Sequence, residues 1–138
     1  MDEGLAWVLD TNVVVSGLLS AQGPPGRLLD MVLGRRLRMT LDDRIVAEYR
    51  EVLARPKFAI DSGRLEAFLV VLQFQHNVMS LPWRHSTPLD PDDAMFLEAA
   101  LSASGKVLVT GNLKHYPRLC RGPVTVLSPR EAWQRIAV

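Results

Sequence analysis

An α/β protein with a mostly parallel sheet covered by helices on both faces is the fold class this sequence predicts, and three observations carry it. Short apolar runs at Trp7-Val8-Leu9, Leu37 to Leu41, Val107-Leu108-Val109 and Val124 to Leu127 have the character of buried strands. Between them, apolar residues recur at helical spacing. Strand and helix alternate along the chain, and right-handed crossovers then place helices on both faces of one sheet.

The first strand ends at Asp10, and a helix follows through Val13 to Leu19, although the β-branched Val13, Val14 and Val15 are poor helix formers. Gly23-Pro24-Pro25-Gly26 breaks the chain. Pro25 opens the next helix in its first turn, and Leu28, Leu29, Val32 and Leu33 form its apolar stripe up to Gly34. After the second strand, Asp42 or Asp43 caps a helix to about Ala54, which Arg55-Pro56 stops. Ser62 begins another helix with Leu65, Phe68, Leu69 and Leu72 on one side, Val78 to Leu81 reads as a weak strand, and Pro82 to Leu89 as a loop. Asp90-Pro91 starts a helix that runs to about Ser104 and ends at Gly105. The last two strands follow, and a helix begins after Ser128-Pro129.

With 138 residues, 48% of them apolar, the chain has the size of one domain burying roughly two-thirds of its unfolded surface. No apolar stretch approaches the ~20 residues that span a bilayer, and Met1-Asp2-Glu3 lacks the basic start of a signal peptide, so the expectation is a cytoplasmic protein without a membrane partner. The single Cys120 has no companion for a disulfide or a thiolate zinc site and reads as an inert or surface thiol. A net charge of +1 neither requires nor excludes a nucleic-acid partner. Of the 16 basic residues 13 are arginines, clustered at Arg35-Arg36-Leu37-Arg38 and at Arg118 and Arg121, where their planar forks suit phosphates or simply solvate the surface. Trp7, Trp83 and Trp133 read as core or subunit-contact aromatics, and His76 and His85 lack ligand spacing.

Ligands of an open parallel sheet bind beyond the carboxyl ends of its strands, where Asp10 and Asn112 both fall. Asp93 aligns with Leu97, Ala100 and Ser104 on the buried face of its helix, while Asp92 points away. Glu48 borders the stripe of Ile45, Tyr49 and Val52, and Glu51 falls outside it. Carboxylates gathered at one sheet edge repel one another unless a divalent cation neutralises them. Mg²⁺ or Mn²⁺ on such hard oxygen donors points to phosphodiester hydrolysis. Each residue has a plainer alternative: a helix cap for Asp10, a reciprocal cap with Asp90 for Asp93, a surface acid for Glu48, and a turn residue for Asn112. Asn12, Ser16, Thr110 and His115 are candidate substrate contacts, with a surface-loop role as the alternative for His115.

Four ordered motifs carry a resemblance over nearly the whole chain. Val8-Leu9-Asp10-Thr11-Asn12-Val13, Glu48-Tyr49 with Val52-Leu53 and Arg55-Pro56-Lys57-Phe58, Asp90-Pro91-Asp92-Asp93 with Phe96-Leu97, and Leu108-Val109-Thr110-Gly111-Asn112 resemble the PIN-domain ribonucleases, in particular the toxin components of bacterial toxin–antitoxin pairs. The resemblance implies a three-layer α/β/α sandwich with a sheet of four to five strands, a Mg²⁺- or Mn²⁺-dependent endoribonuclease acting on RNA, an antitoxin partner and a homodimer. It implies that Asp10, Glu48 and Asp93 are acidic metal ligands. Asn112 stands where many members carry a fourth aspartate, and its neutral amide removes a charge from any second metal position. A single tightly held ion is the resulting expectation, with a second recruited alongside RNA phosphates. The alternative is a catalytically weakened PIN module that binds RNA or a protein partner. A phosphoacceptor receiver domain is disfavoured because Asp10 stands without a neighbouring acid, and a dinucleotide-binding site because the first turn lacks glycines.

Overall fold

The computed structural model describes residues 5–77 and 89–137. A strand buried along most of its length forms the centre of the sheet. β1 (Leu5–Leu9) buries Trp7, Val8 and Leu9, and pairs in parallel with β2 (Leu37–Leu41) on one side and β4 (Val107–Val109) on the other. The short β3 (His76–Asn77) and β5 (Thr125–Leu127) complete an order of β3-β2-β1-β4-β5, with every pairing parallel. Winding therefore reverses between β1 and β4, opening a crevice at their carboxyl ends.

Among the described residues, six α-helices cover this sheet, giving the expected α/β/α sandwich of five strands. They are α1 (Thr11–Leu19), α2 (Gly23–Leu33), α3 (Asp43–Leu53), α4 (Ser62–Leu72), α5 (Pro91–Ser102) and α6 (Pro129–Ala137). α5 lies against β1, β2 and β4, while α2 packs on β2 and against α1, α4 and α6. α3 touches both α1 and α5. Arg44 spans the second contact, pairing with Glu98 of α5 at 2.7 Å while also bonding Asp42, the residue that caps its own helix, at 2.8 Å.

Burial explains why α1 forms despite its sequence. A β-branched residue loses a few tenths of a kcal/mol in a helix, whereas burying a valine side chain gains about 1.5 kcal/mol or more. Val13, Val14 and Val15 are all buried. Gly17 permits the close approach of α1 to α2, since a Cβ there would lie 2.6 Å from Leu29 Cδ2.

α4 begins at Ser62 as the sequence predicts, capped by Asp61, whose carboxylate accepts from the Arg64 amide at 3.0 Å. Other boundaries differ from the sequence reading. α5 ends at Ser102 because Ala103 turns extended (ψ 149°), placing its methyl in the core. The third strand occupies His76–Asn77. Val78 to Leu81, the loop from Pro82 to Pro88, Trp83 and His85 lie outside the described residues. Cys120 is buried, which removes the surface-thiol reading and leaves the inert one. Trp7 is in the core, and Trp133 is half-buried under the Arg27 guanidinium. Among the described residues, no helix is long and apolar enough to cross a membrane.

Candidate active site

The crevice between β1 and β4 is positioned by backbone bonds before any side chain contributes. The Asp10 amide donates to Val109 O at 2.8 Å and the Thr110 amide to Leu127 O at 2.9 Å, extending both ladders one residue beyond their strands. Asn12 Oδ1 accepts from the Gly111 amide at 2.8 Å, fastening the start of α1 to the segment after β4.

Asp10 is buried in this frame, and its Oδ2 accepts from Thr110 Oγ1 at 2.9 Å and Tyr116 Oη at 3.1 Å. It occupies the N-cap position of α1 without making a side-chain cap bond, so capping does not explain it. Burial raises its carboxyl above the usual range, the two hydroxyl bonds act against that rise, and the Asp93 charge adds to it. Both hydroxyls are neutral donors. Tyr49 donates its buried hydroxyl to Leu9 O, the carbonyl immediately before Asp10.

Asp93, in the first turn of α5, is half-buried, whereas Asp92 is exposed, as helical facing predicts. Asp90 uses its own carboxylate to cap the Asp92 amide at 2.9 Å. Asp93 Oδ2 instead lies 3.5 Å from His115 Nδ1, and His115 Nε2 lies 2.9 Å from Asn112 Nδ2. An amide donating to Nε2 leaves the ring hydrogen on Nδ1, facing Asp93. Thr110 Oγ1 accepts from the Asn112 amide at 3.0 Å, so polar contacts link Asp10 through Thr110, Asn112 and His115 to Asp93. The Asp93 carboxyl is raised by burial, lowered by His115, and raised again by Asp90 and Asp92.

Glu48 is half-buried on α3 and accepts from Thr11 Oγ1 at 3.2 Å. With Thr11, Asn12 and Ser16 it lines a cleft of about 360 Å³. The predicted residues therefore fall into two groups. Asp10, Asp93, Thr110, Asn112 and His115 form one network, while Asn12, Ser16 and Glu48 line the adjoining cleft. Among the described residues, no three Asp, Glu, His or Cys side chains already form a metal-binding group. Asp10, Glu48 and Asp93 are thus not gathered into one closed cluster.

The donors of the first group nevertheless suit a hard divalent cation. Two carboxylates that repel each other, the deeper held by neutral hydroxyls, offer the charge and oxygen chemistry that such an ion neutralises. Mg²⁺ is commonly held by one or two carboxylates, with waters and substrate phosphates filling its remaining positions.

Tyr116 belongs to none of the sequence motifs, and the hydrogen bonds of Tyr49 and Thr11 are not legible in theirs. A buried tyrosine needs a partner for its hydroxyl, but its position in the chain does not identify that partner. Comparison with curated proteins finds no match to the chain. The PIN-domain family model matches residues 6–114, a span containing Asp10, Glu48, Asp93 and Asn112. PIN domains are generally metal-dependent nuclease folds, and the chain belongs to the PIN-domain family.

Proposed function

We propose that this protein is a Mg²⁺- or Mn²⁺-dependent endoribonuclease and the toxin component of a toxin–antitoxin pair. The observation that carries the nuclease reading is Asp10: a buried carboxylate at the sheet's switch point, oriented by two neutral hydroxyls and facing the charge of Asp93. Asp10 and Asp93 would hold the cation, with Glu48 acting from the adjoining cleft. When bound, the ion supplies charge neutralisation and Lewis acidity at the phosphodiester. Thr110 and Tyr116 hold the Asp10 carboxylate in one orientation. Asn112 positions the His115 ring, and His115 presents its Nδ1 hydrogen to Asp93. Asp93, half-exposed, is the acid that solvent and substrate reach more readily.

A labelled RNA incubated with purified protein and Mn²⁺ tests this reading. Wild type is expected to cut it and Asp10→Asn to leave it intact; wild type and variant behaving alike would overturn the catalytic claim. One observation favours a second reading, a weakened module that binds RNA or a protein partner. The Asn112 amide faces His115, and no three-acid group is assembled among the described residues. A large gain in cleavage on Asn112→Asp would favour it. For the toxin role, expression of wild type should arrest growth, and Asp10→Asn should not. The proposed homodimer is tested by the mass of the purified protein in solution.

A further inference from the structure

The cleft beside Glu48 has a second wall that the hydrolytic reading does not use. Val15, Val52 and Phe58 line it, with Arg55 at the rim. Phe58 ends the short 3₁₀ turn Pro56–Phe58, which is held by its amide on Arg55 O at 3.2 Å and by the Ala59 amide on Pro56 O at 3.1 Å. The ring is therefore presented on a hydrogen-bonded turn that begins with proline. One cation lies over it, and a second lines the same cleft. Lys57 Nζ lies 5.2 Å from the Phe58 ring centroid, and Arg55 is held by Glu51 through two bonds of 2.9 Å. An exposed ion pair of that kind contributes little in water, so the guanidinium can exchange it for a phosphate.

An aromatic ring in the same cleft as a guanidinium suits a nucleotide, whose base stacks and whose phosphate takes the guanidinium. Across the cleft, the Ser16 hydroxyl and the Asn12 amide offer polar contacts for a sugar. At about 360 Å³ the space is near the small end of ligand pockets, which suits one nucleotide and not a folded RNA helix. We infer that this cleft is a nucleotide subsite of a single RNA strand, with Phe58 stacking on the base and Arg55 binding the phosphate of a residue next to the cleaved bond. The inference rests on the nuclease reading above and adds the path of the strand, from the Asp10 crevice past Glu48 onto the turn after α3. The rival basic surface is the cleft of about 400 Å³ lined by Arg27, Arg36 and Trp133. Unlike the Glu48 cleft, it shares no lining residue with the candidate active site.

The test measures binding of a short labelled single-stranded RNA by fluorescence anisotropy in EDTA, and cleavage kinetics of the same RNA with Mn²⁺. Phe58→Leu and Arg55→Gln are each expected to weaken binding about tenfold. They should raise KM while leaving kcat within about twofold. Arg36→Gln should bind as wild type does. Arg55 is exposed, so its variant keeps the test alive if Phe58→Leu melts early. Wild-type affinity in a folded Arg55→Gln or Phe58→Leu, or a larger loss in Arg36→Gln, overturns the subsite. Cleavage with an unchanged KM in both cleft variants sinks the subsite alone. Phe58-dependent binding with no cleavage by wild type sinks the hydrolytic reading and leaves the subsite standing.

Discussion

The inner and outer halves of the crevice hold their carboxylates by different means. Asp10 is buried and accepts from the hydroxyls of Thr110 and Tyr116, groups that do not change charge near neutral pH. Asp93 is half-exposed and faces His115 across 3.5 Å, an exposed ring that is itself placed by an amide. The inner half is therefore a fixed anchor and the outer half an adjustable one. A fixed, desolvated carboxylate suits ion binding, and an accessible one suits contact with substrate.

The comparison breaks most completely at Asp10. Asp10→Asn should lower RNA cleavage by more than about a hundredfold, since removing even a supporting partner of a metal ligand costs roughly 10–100-fold. In wild type, Mn²⁺ at about a hundred times its Kd should add about 2.7 kcal/mol of stability, read as a higher Tm. Asp10→Asn should lose most of that gain, and an equal Tm rise in both proteins would remove Asp10 from the metal site.

Next in size are the hydroxyls. Tyr116→Phe and Thr110→Val each delete one donor to Asp10 Oδ2 and should each reduce activity about tenfold or more. Each should cost about 1 kcal/mol of stability, measurable by urea unfolding. On the outer side, His115→Gln should cost only a few-fold in kcat, because its contact with Asp93 is 3.5 Å long and half-exposed. A His115 effect equal to that of Tyr116 would erase the distinction between anchors.

The smallest effect is that of pH on the metal-free protein. Asp10 and Asp93 are both raised in the folded state, so the native chain holds more protons than the unfolded chain just above the ordinary value of 3.8. Stability from these two groups is greatest below that window and is lost as pH rises through their folded values. Asp10→Asn should flatten the profile and raise the Tm in EDTA at neutral pH. Mn²⁺ affinity should run the other way, weakening as pH falls through the same window because protons compete for the carboxylates.

Much of this division was legible in the chain. A helical period places Asp93 on the face of Leu97 and Ala100, and an apolar run ending at Asp10 places that acid at a strand terminus. Asp42 and Asp90 read as caps because capping is local, and each accepts from a nearby amide. α1 was the harder element, since Val13 to Val15 favour strands until burial outweighs propensity. Glu48 is the case where spacing stopped short. Its place on the border of a stripe suggests a link with the other acids, and its hydrogen bond goes instead to Thr11.

By itself the sequence determined the order and type of most elements, the parallel α/β class and the acids at the strand and helix ends, because these follow from periodicity and caps within a few residues. Only the tertiary structure decided that β1 and β4 become neighbours, and with them Asp10, Thr110 and Tyr116. Those bonds join residues 100 and 106 positions apart. Nothing local records such a contact: it follows from strand order, which is settled by burying all the apolar faces at once.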